Sequence, residues 1–210
     1  MRYNLTNFFV LIFFFISSQI SASEMTLNEL FFDNSKPYHL KMLEALPERA
    51  IIQIGPDNAK NTVIEFMDYF CGYCKKIHSE LIDLVKNRDD TRVIFLQHPI
   101  LSESSTVVAY MVIAANMQNK GFELHNELFS IEGSLNQKKL DEILDKLEIN
   151  KLKLKIDISK EEIKNTVSIS SFLANGAGAR GTPTLFINEE FVGGYIPINK
   201  LEQLLNYKSS

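Results

Sequence analysis

The sequence predicts an α/β fold in which strands from two parts of the chain are separated by a helical insertion. Residues 62–67 and 184–187 are rich in β-branched and aromatic side chains, as expected for strands. Residues 103–174 between them carry helical periodicity instead. A Cys-X-X-Cys pair, Cys71 and Cys74, follows the first strand directly and opens a helix. Strand, cysteine pair and helix in this order are typical of a redox fold.

Composition places the chain among ordinary globular proteins. It has 210 residues, of which 45% are hydrophobic and 23% charged, and a formal net charge of −4. These values exclude a disordered tail, a collagen and a coiled coil. No basic stripe is present, so nucleic acid is not predicted as a partner.

The N-terminal residues resemble a secretory signal peptide. Arg2 precedes the apolar run 8–16, and the small residues Ser21 and Ala22 follow. The run is shorter than the roughly 20 residues that span a bilayer. We therefore predict a signal peptide over residues 1–22, with an uncleaved anchor or a core helix as the alternative. Export, here to the periplasm, would allow disulfides to persist.

The elements before the insertion follow from local patterns. Residues 23–49 form a predicted helical arm, with leucines at helical spacing. One unit of strands and helices is assigned to 50–102 and 175–210, with strands at 50–54, 62–67 and 93–96 and a helix after Cys74.

The inserted helical domain is assigned to residues 103–174. Ser159 and Glu162 have the spacing of a capping box, which predicts a helix beginning there. After the insertion we expect strands at 184–187 and 191–193. Asn199 and Glu202 form a second capping-box candidate for a last helix over 199–206.

The cysteine pair is suited to thiol chemistry rather than to structural support. A disulfide across three positions closes a very small loop and removes little entropy from the unfolded chain. At a helix N-terminus, unpaired N–H groups and the macrodipole favour the Cys71 thiolate. Cys74, one turn further along, can attack a mixed disulfide formed at Cys71.

Metal binding is the main alternative for this pair. Cys71, Cys74 and His78 share one helical face, but a structural zinc site needs four ligands, and the chain has no other cysteine. We predict that His78 is a solvated helix residue. Covalent haem attachment needs histidine where Lys75 stands. Neither a metal nor a cofactor is predicted.

Two segments resemble the DsbA-like group of exported thiol:disulfide oxidoreductases in the thioredoxin superfamily. These are residues 65–76, which include Cys71-Gly72-Tyr73-Cys74, and residues 181–187, which include Thr182-Pro183. The resemblance implies a thioredoxin-like fold, with a central mixed sheet flanked by helices and an inserted helical domain.

The resemblance also implies a role for individual residues. Cys71 matches the attacking cysteine and Cys74 the resolving one. Pro183 matches a cis-proline, although about 5–6% of X-Pro bonds in folded proteins are cis and a trans bond is the expectation without the resemblance. The resemblance implies that Thr182, Pro183, Gly72 and Tyr73 contact the substrate. Glu65 matches a buried acid that exchanges a proton with Cys74; the alternative places Glu65 on an edge strand facing solvent.

The predicted activity is oxidation of reduced exported polypeptides, with reoxidation by a DsbB-like membrane partner. Gly72-Tyr73 and Thr182 are closer to the periplasmic disulfide isomerases, so an isomerase or reductase acting on misoxidised polypeptides is the first alternative. The predicted mature chain has too few residues before its first strand for a separate dimerisation domain. A redox-silent polypeptide-binding holdase is the second alternative. Reduction potential and oligomeric state stay open.

Overall fold

The computed structural model describes residues 36–206. In chain order, the first elements are α1 (Tyr38–Glu44), a short 3-10 turn (Glu48–Ala50), β1 (Ile52–Ile54), β2 (Asn61–Met67), α2 (Gly72–Asn87) and β3 (Thr91–Gln97). Five consecutive helices follow: α3 (Glu103–Asn116), α4 (Gly121–Ser130), α5 (Gln137–Lys146), α6 (Lys151–Asp157) and α7 (Glu161–Gly176). The described chain ends with β4 (Thr184–Ile187), β5 (Glu190–Gly193) and α8 (Ile198–Asn206).

The five strands form one mixed sheet in the order β1-β3-β2-β4-β5. The pair β2 and β3 is parallel, and the other three pairs are antiparallel. Strand β2 lies in the centre, and all seven of its residues are buried. Because β2 leads directly to the cysteine pair, the site is attached to the most protected strand of the sheet.

Each face of the sheet has its own core, because successive side chains of a strand point to opposite faces. Val63 and Phe95 lie on the first face, under α2, α8 and the inserted helices. Ile64 and Phe66 lie on the second face, with α1 and the C-terminal end of α7. Alternation therefore puts Glu65 and Met67 on the first face, below α2.

Most predicted elements are present in the described chain. The strands predicted at 62–67, 93–96 and 191–193 are found with one to three added residues, and the strand at 184–187 is found as predicted. The strand predicted at 50–54 is shorter, Ile52–Ile54, because Ala50 ends the 3-10 turn before it. The signal peptide and the first part of the arm, residues 23–35, lie outside the described residues. The proposed domain boundaries stay predictions. No helix within residues 36–206 is both long enough and apolar enough to cross a membrane.

Both predicted capping boxes are wrong. The Ser159 hydroxyl donates to the Ile156 carbonyl at 2.6 Å, so it serves the end of α6, and Lys160 precedes α7 without a side-chain cap. Asn199 lies inside α8, which begins one residue earlier. Side-chain caps are found at the starts of α3, α5 and α6, where Ser102, Asn136 and Asn150 each accept a backbone N–H. Short polar side chains satisfy these N–H groups equally well without a capping box.

Candidate active site

Cys71 lies at the junction between β2 and α2. It is the residue that immediately precedes the helix, and its backbone is extended. The Cys71 N–H donates to the Asp68 carbonyl at 3.1 Å, and its own carbonyl accepts the first helical bond from Lys75 N–H at 3.0 Å. The Cys71 side chain is partly exposed, and both cysteines are free thiols. The sulfur therefore lies beside the unpaired N–H groups of a helix start, as the sequence predicted.

Asp68 holds this junction in place. Its carboxylate, only 1% exposed, accepts the backbone N–H of Phe70 at 2.8 Å and those of Ile100 and Leu101 at 2.9 and 3.0 Å. The Ser105 hydroxyl donates to the same carboxylate at 2.9 Å. One side chain thus ties the loop before Cys71 to the loop after β3 and to the start of α3.

The surroundings of Cys71 favour its thiolate. A hydrogen bond from the Cys74 thiol is the largest cause, and bonds from the Thr182 side chain and from the N–H groups of Cys74 and Tyr73 add to it. Against the opposing effect of partial burial, they lower the pKa of Cys71 to about 5. When protonated, Cys71 Sγ donates to the Thr182 carbonyl at 3.1 Å. Cys71 therefore combines exposure with a thiolate at neutral pH, which defines a reactive cysteine.

Cys74 differs from Cys71 in both exposure and thiol pKa. Its side chain is 0% exposed, and burial raises its pKa far above the ordinary value, with further increases from Cys71 and from the Glu65 carboxylate. Cys74 therefore stays protonated until its proton is taken by a base.

Glu65 lies beneath the cysteine pair, on the central strand. It is 0% exposed, and burial raises its pKa to about 8, although the approach of the Cys74 thiol lowers it slightly. Within residues 36–206, no donor meets the distance and angle of a hydrogen bond to either carboxylate oxygen of Glu65. The predicted burial of Glu65 is thus confirmed, and the solvent-facing alternative is wrong.

Thr182 and Pro183 lie against Cys71, although 111 positions separate Cys71 from Thr182. The Thr182–Pro183 peptide bond is cis, which confirms the expectation from the resemblance. The Gly194 N–H donates to the Pro183 carbonyl at 2.9 Å and holds this turn to the end of β5. Within the described chain the Thr182 N–H has no hydrogen-bond partner, so it is available to an added strand.

The comparison with known proteins agrees with this geometry. Residues 48–207 match the family described as Thioredoxin. The chain belongs to the thioredoxin family. A thioredoxin-like oxidoreductase from Silicibacter pomeroyi DSS-3 superposes with a TM-score of 0.71 at 26% identity, covering 76% of this chain and 92% of that one. The thiol-disulfide exchange protein alpha-DsbA2 from Wolbachia pipientis has a TM-score of 0.66 at 23% identity, over 84% and 88% of the two chains.

Curated relatives include proteins of different lengths. Disulfide bond formation protein D of Bacillus subtilis (strain 168) is 21% identical over 164 residues, which are 72% of this chain and 74% of that protein. Na(+)/H(+) antiporter NhaA 1 of Salinispora arenicola (strain CNS-205) is 25% identical over 154 residues, but the chain spans only 23% of its length. The chain shares its fold with a thioredoxin-like oxidoreductase and with a thiol-disulfide exchange protein.

Tyr73 and Tyr195 form an aromatic pair at the rim of the thioredoxin-family site. Tyr73 is 61% exposed, and its ring stacks on that of Tyr195 with centroids 5.9 Å apart. Lys76 Nζ lies 4.1 Å from the Tyr195 ring centroid, and the Tyr195 hydroxyl donates to Glu80 at 2.9 Å. Gly72 has open space around it, since no atom would lie within 4 Å of an added Cβ. Gly72 and Tyr73 are therefore both accessible to a molecule that approaches Cys71.

A groove of about 220 Å³ lies beside Cys71. Cys71 lines it together with apolar side chains of the inserted helices and of the preceding loop: Phe70, Leu128, Ile131 and Leu135. A polypeptide that is joined to Cys71 therefore has an apolar surface beside it.

His78 is not solvated, contrary to the prediction. It is 4% exposed, its Nε2 lies 3.1 Å from Asn126 Oδ1, and its ring stacks on Phe129 with centroids 4.8 Å apart. The inserted helix α4 covers this face of α2, which helical periodicity within α2 alone cannot indicate. Within residues 36–206, no group of three or more His, Cys, Asp or Glu side chains could hold a metal ion.

The thioredoxin fold thus brings together the candidates from two distant segments. Cys71, Cys74 and Glu65 come from β2 and α2, and Thr182 and Pro183 come from the loop before β4. Sequence reasoning missed Asp68, although it lies within the motif that carries the resemblance. A buried acid three residues before a helix-opening cysteine has no strong local signal, because three of its four partners lie more than 30 positions away.

Proposed function

We propose that the protein is an exported thiol:disulfide oxidoreductase that introduces disulfide bonds into reduced exported polypeptides. The observation that supports this most strongly is the contrast within the cysteine pair. Cys71 is partly exposed with a pKa of about 5, while Cys74 is fully buried with a raised pKa. One cysteine is therefore accessible to other thiols, and the other can react only inside the protein.

The reaction begins with the Cys71–Cys74 disulfide. A substrate thiolate attacks Cys71 Sγ, the bond to Cys74 breaks, and a mixed disulfide between substrate and Cys71 forms. The Cys74 sulfur leaves with the electron pair and takes a proton from Glu65. The low pKa of Cys71 matters in the next step, because a second substrate thiolate attacks the substrate sulfur and Cys71 leaves as a stable thiolate.

This sequence of steps leaves the substrate oxidised and the enzyme as a dithiol. The enzyme then needs an oxidant, which we assign to a DsbB-like membrane partner on the basis of the family resemblance. In the substrate complex, the free Thr182 N–H and the exposed Gly72 and Tyr73 contact the polypeptide on either side of its cysteine. The apolar groove beside Cys71 suits unfolded chains, which expose apolar residues.

The periplasm is the proposed compartment, since residues 1–22 have the pattern of a signal peptide. A disulfide-forming enzyme requires such an oxidising environment, because cytosolic thiols are kept reduced.

The direction of exchange follows from the stability of the reduced form. A stabilised Cys71 thiolate favours the dithiol over the disulfide, which makes the pair a strong oxidant. Thioredoxin has a reduction potential of about −270 mV. We expect the equilibrium with glutathione to give this protein a reduction potential that is well above that value. The purified protein should then oxidise reduced ribonuclease. Activity confined to scrambled ribonuclease would favour the isomerase alternative.

The Cys74→Ala variant tests the exchange mechanism itself. Without Cys74 a mixed disulfide at Cys71 cannot be resolved from within, so we expect covalent adducts with exported proteins on non-reducing gels. The adducts should disappear on reduction. The Cys71→Ala variant is the matched control, since its remaining thiol is buried and should trap nothing. If Cys74→Ala captures no polypeptide, the holdase alternative replaces the enzyme.

A further inference from the structure

The two groups that must exchange a proton with solvent are both sealed inside the protein. Cys74 and Glu65 are each 0% exposed. Yet every catalytic cycle protonates and deprotonates Cys74, and Glu65 must regain or release that proton afterwards. A path between Glu65 and the surface is therefore a requirement of the proposed function, on which this inference rests.

A row of polar side chains lies on the same face of the sheet as Glu65. Gln97, at the end of β3, donates from Nε2 to the Tyr69 hydroxyl at 3.4 Å. The Tyr69 hydroxyl lies 2.9 Å from His125 Nδ1. The ring of His125 meets that of His78 edge-on, with centroids 4.9 Å apart. His78 Nε2 reaches Asn126 on the partly exposed side of α4, 3.1 Å away.

The inner end of this row touches the cysteine pair. The Tyr69 ring packs in the small cluster that contains Cys74, Cys71 and Phe129. Burial raises the pKa of Tyr69, and the charge of the Glu65 carboxylate raises it further. The row thus begins at the reacting groups and ends at Asn126.

Several polar atoms along this row have no partner. Within the described chain these buried atoms are both Glu65 oxygens, Gln97 Oε1, His125 Nε2 and His78 Nδ1. A buried polar atom without a hydrogen bond destabilises the folded protein, so an apolar core at these positions would be more stable. The aromatic packing of His125, whose ring lies 4.2 Å from that of Phe95, would be served equally well by phenylalanine. Packing therefore does not account for the histidines.

The hydrogen bonds around Tyr69 can run in either direction. When Gln97 donates to the tyrosine oxygen, the hydroxyl proton points to His125 Nδ1, and His125 carries its own proton on Nε2. Rotation of the Gln97 amide presents Oε1 instead, and the hydroxyl then points to Gln97 while His125 Nδ1 becomes the donor. Burial and the nearby His78 hold the pKa of His125 well below its usual value, so its ring is neutral and both donates and accepts.

We propose that Tyr69 and His125 are the middle of a proton relay that connects Glu65, through the buried His78, with the surface beside the half-buried Asn126. When Cys74 attacks the mixed disulfide, its sulfur bonds to Cys71 Sγ, the partner's sulfur leaves as a thiolate, and the Cys74 proton passes to Glu65. The relay then delivers one proton outward: Tyr69 gives its proton to His125 Nδ1 and regains one from Glu65, His125 passes its Nε2 proton to the unpaired His78 Nδ1, and His78 releases its Nε2 proton to solvent beside Asn126. The reverse sequence resupplies Glu65.

The Tyr69→Phe variant removes the hydroxyl and keeps the ring that packs against Cys74. The probe is the mixed disulfide of Cys71 with glutathione, and the measurement is the rate of glutathione release in rapid-quench experiments from pH 5 to 8. We expect release to slow about tenfold, less than the roughly 10²- to 10⁴-fold that a general acid or base in direct contact with the reacting group contributes. The solvent deuterium isotope effect on this step should rise, because proton delivery becomes limiting. Alkylation of Cys71 by iodoacetamide should keep its pH dependence.

The matched control is Tyr110→Phe, in which a tyrosine of α3 that packs against the large core loses its hydroxyl; its release rate should equal that of the wild type. A second variant, His78→Phe, removes the outer end of the relay, preserves an aromatic ring, and should slow release similarly. Wild-type release in either folded variant would overturn the relay. Slowing accompanied by an equal change in Cys71 alkylation would also overturn it. If the wild type itself releases no glutathione, the proposed function fails instead.

Discussion

Replacing Asp68 with alanine should lower the free energy of unfolding by about 3–5 kcal/mol. The Asp68 carboxylate is 1% exposed and accepts four hydrogen bonds, three from backbone N–H groups and one from the Ser105 hydroxyl. Alanine leaves these donors without a partner in a buried position, and each unpaired donor costs about 1–3 kcal/mol before relaxation. Urea unfolding followed by circular dichroism measures the loss.

The effect should reach the active site as well, because Asp68 fixes the loop that carries Phe70 and Cys71. We expect Asp68→Asn to be intermediate, since one carbonyl oxygen still accepts two of the bonds. Asp83→Ala is the control: among residues 36–206 this exposed carboxylate pairs only with Lys86, and its loss should change stability by less than about 0.5 kcal/mol. An Asp68→Ala protein as stable as Asp83→Ala would show that the carboxylate does not hold the junction.

The parts of the fold that could be predicted are those with local causes. Strand β2 combines β-branched and aromatic residues, and α2 repeats apolar residues at helical spacing, so both were predicted with small errors at their ends. The position of Cys71 at a helix start follows from these two elements alone.

The parts that were missed depend on contacts between distant segments. His78 has the sequence context of a solvated residue, and only the insertion, which places Asn126 and Phe129 against it, makes it a buried one. Ser159 has the capping-box spacing to Glu162, but its hydroxyl donates to the Ile156 carbonyl at the end of α6 instead of accepting an N–H at the start of α7. The cis bond before Pro183 was expected only from the family resemblance, since its local sequence favours trans.

Burial and exposure give the two cysteines different chemistry although they are three residues apart. Both belong to the start of α2, yet Cys71 faces the Thr182 loop and Cys74 faces Glu65. The sequence spacing accounts for their proximity, and the tertiary fold accounts for their difference in pKa. Because of this difference in exposure and pKa, neither cysteine could take over the role of the other.

Oxidised wild-type protein should lose stability relative to Glu65→Gln as the pH rises from about 5 to 8. Burial raises the folded-state pKa of Glu65 from 4.5 to about 8, so between these values the folded protein binds one more proton than the unfolded chain. The free energy of unfolding therefore falls as the pH rises through this window, by on the order of 4 kcal/mol. Glutamine does not titrate, so this contribution disappears in the variant.

The oxidised protein is used for this measurement because, in the reduced protein, titration of the Cys71 thiol changes stability with pH in the opposite direction. Its folded-state pKa of about 5 lies below the ordinary 9, so reduced protein gains stability as the pH rises and the two effects would mask each other. The buried histidines also titrate, with lowered pKa values, but they do so equally in both proteins. The difference in unfolding free energy between wild type and Glu65→Gln therefore reports on the Glu65 carboxyl alone. Urea unfolding at pH 5, 6.5 and 8 gives this difference, and Glu142→Gln, at an exposed carboxyl of α5, should keep the wild-type slope. Parallel pH profiles for wild type and Glu65→Gln would mean that Glu65 is ionised in the folded protein and cannot supply the proton that Cys74 requires.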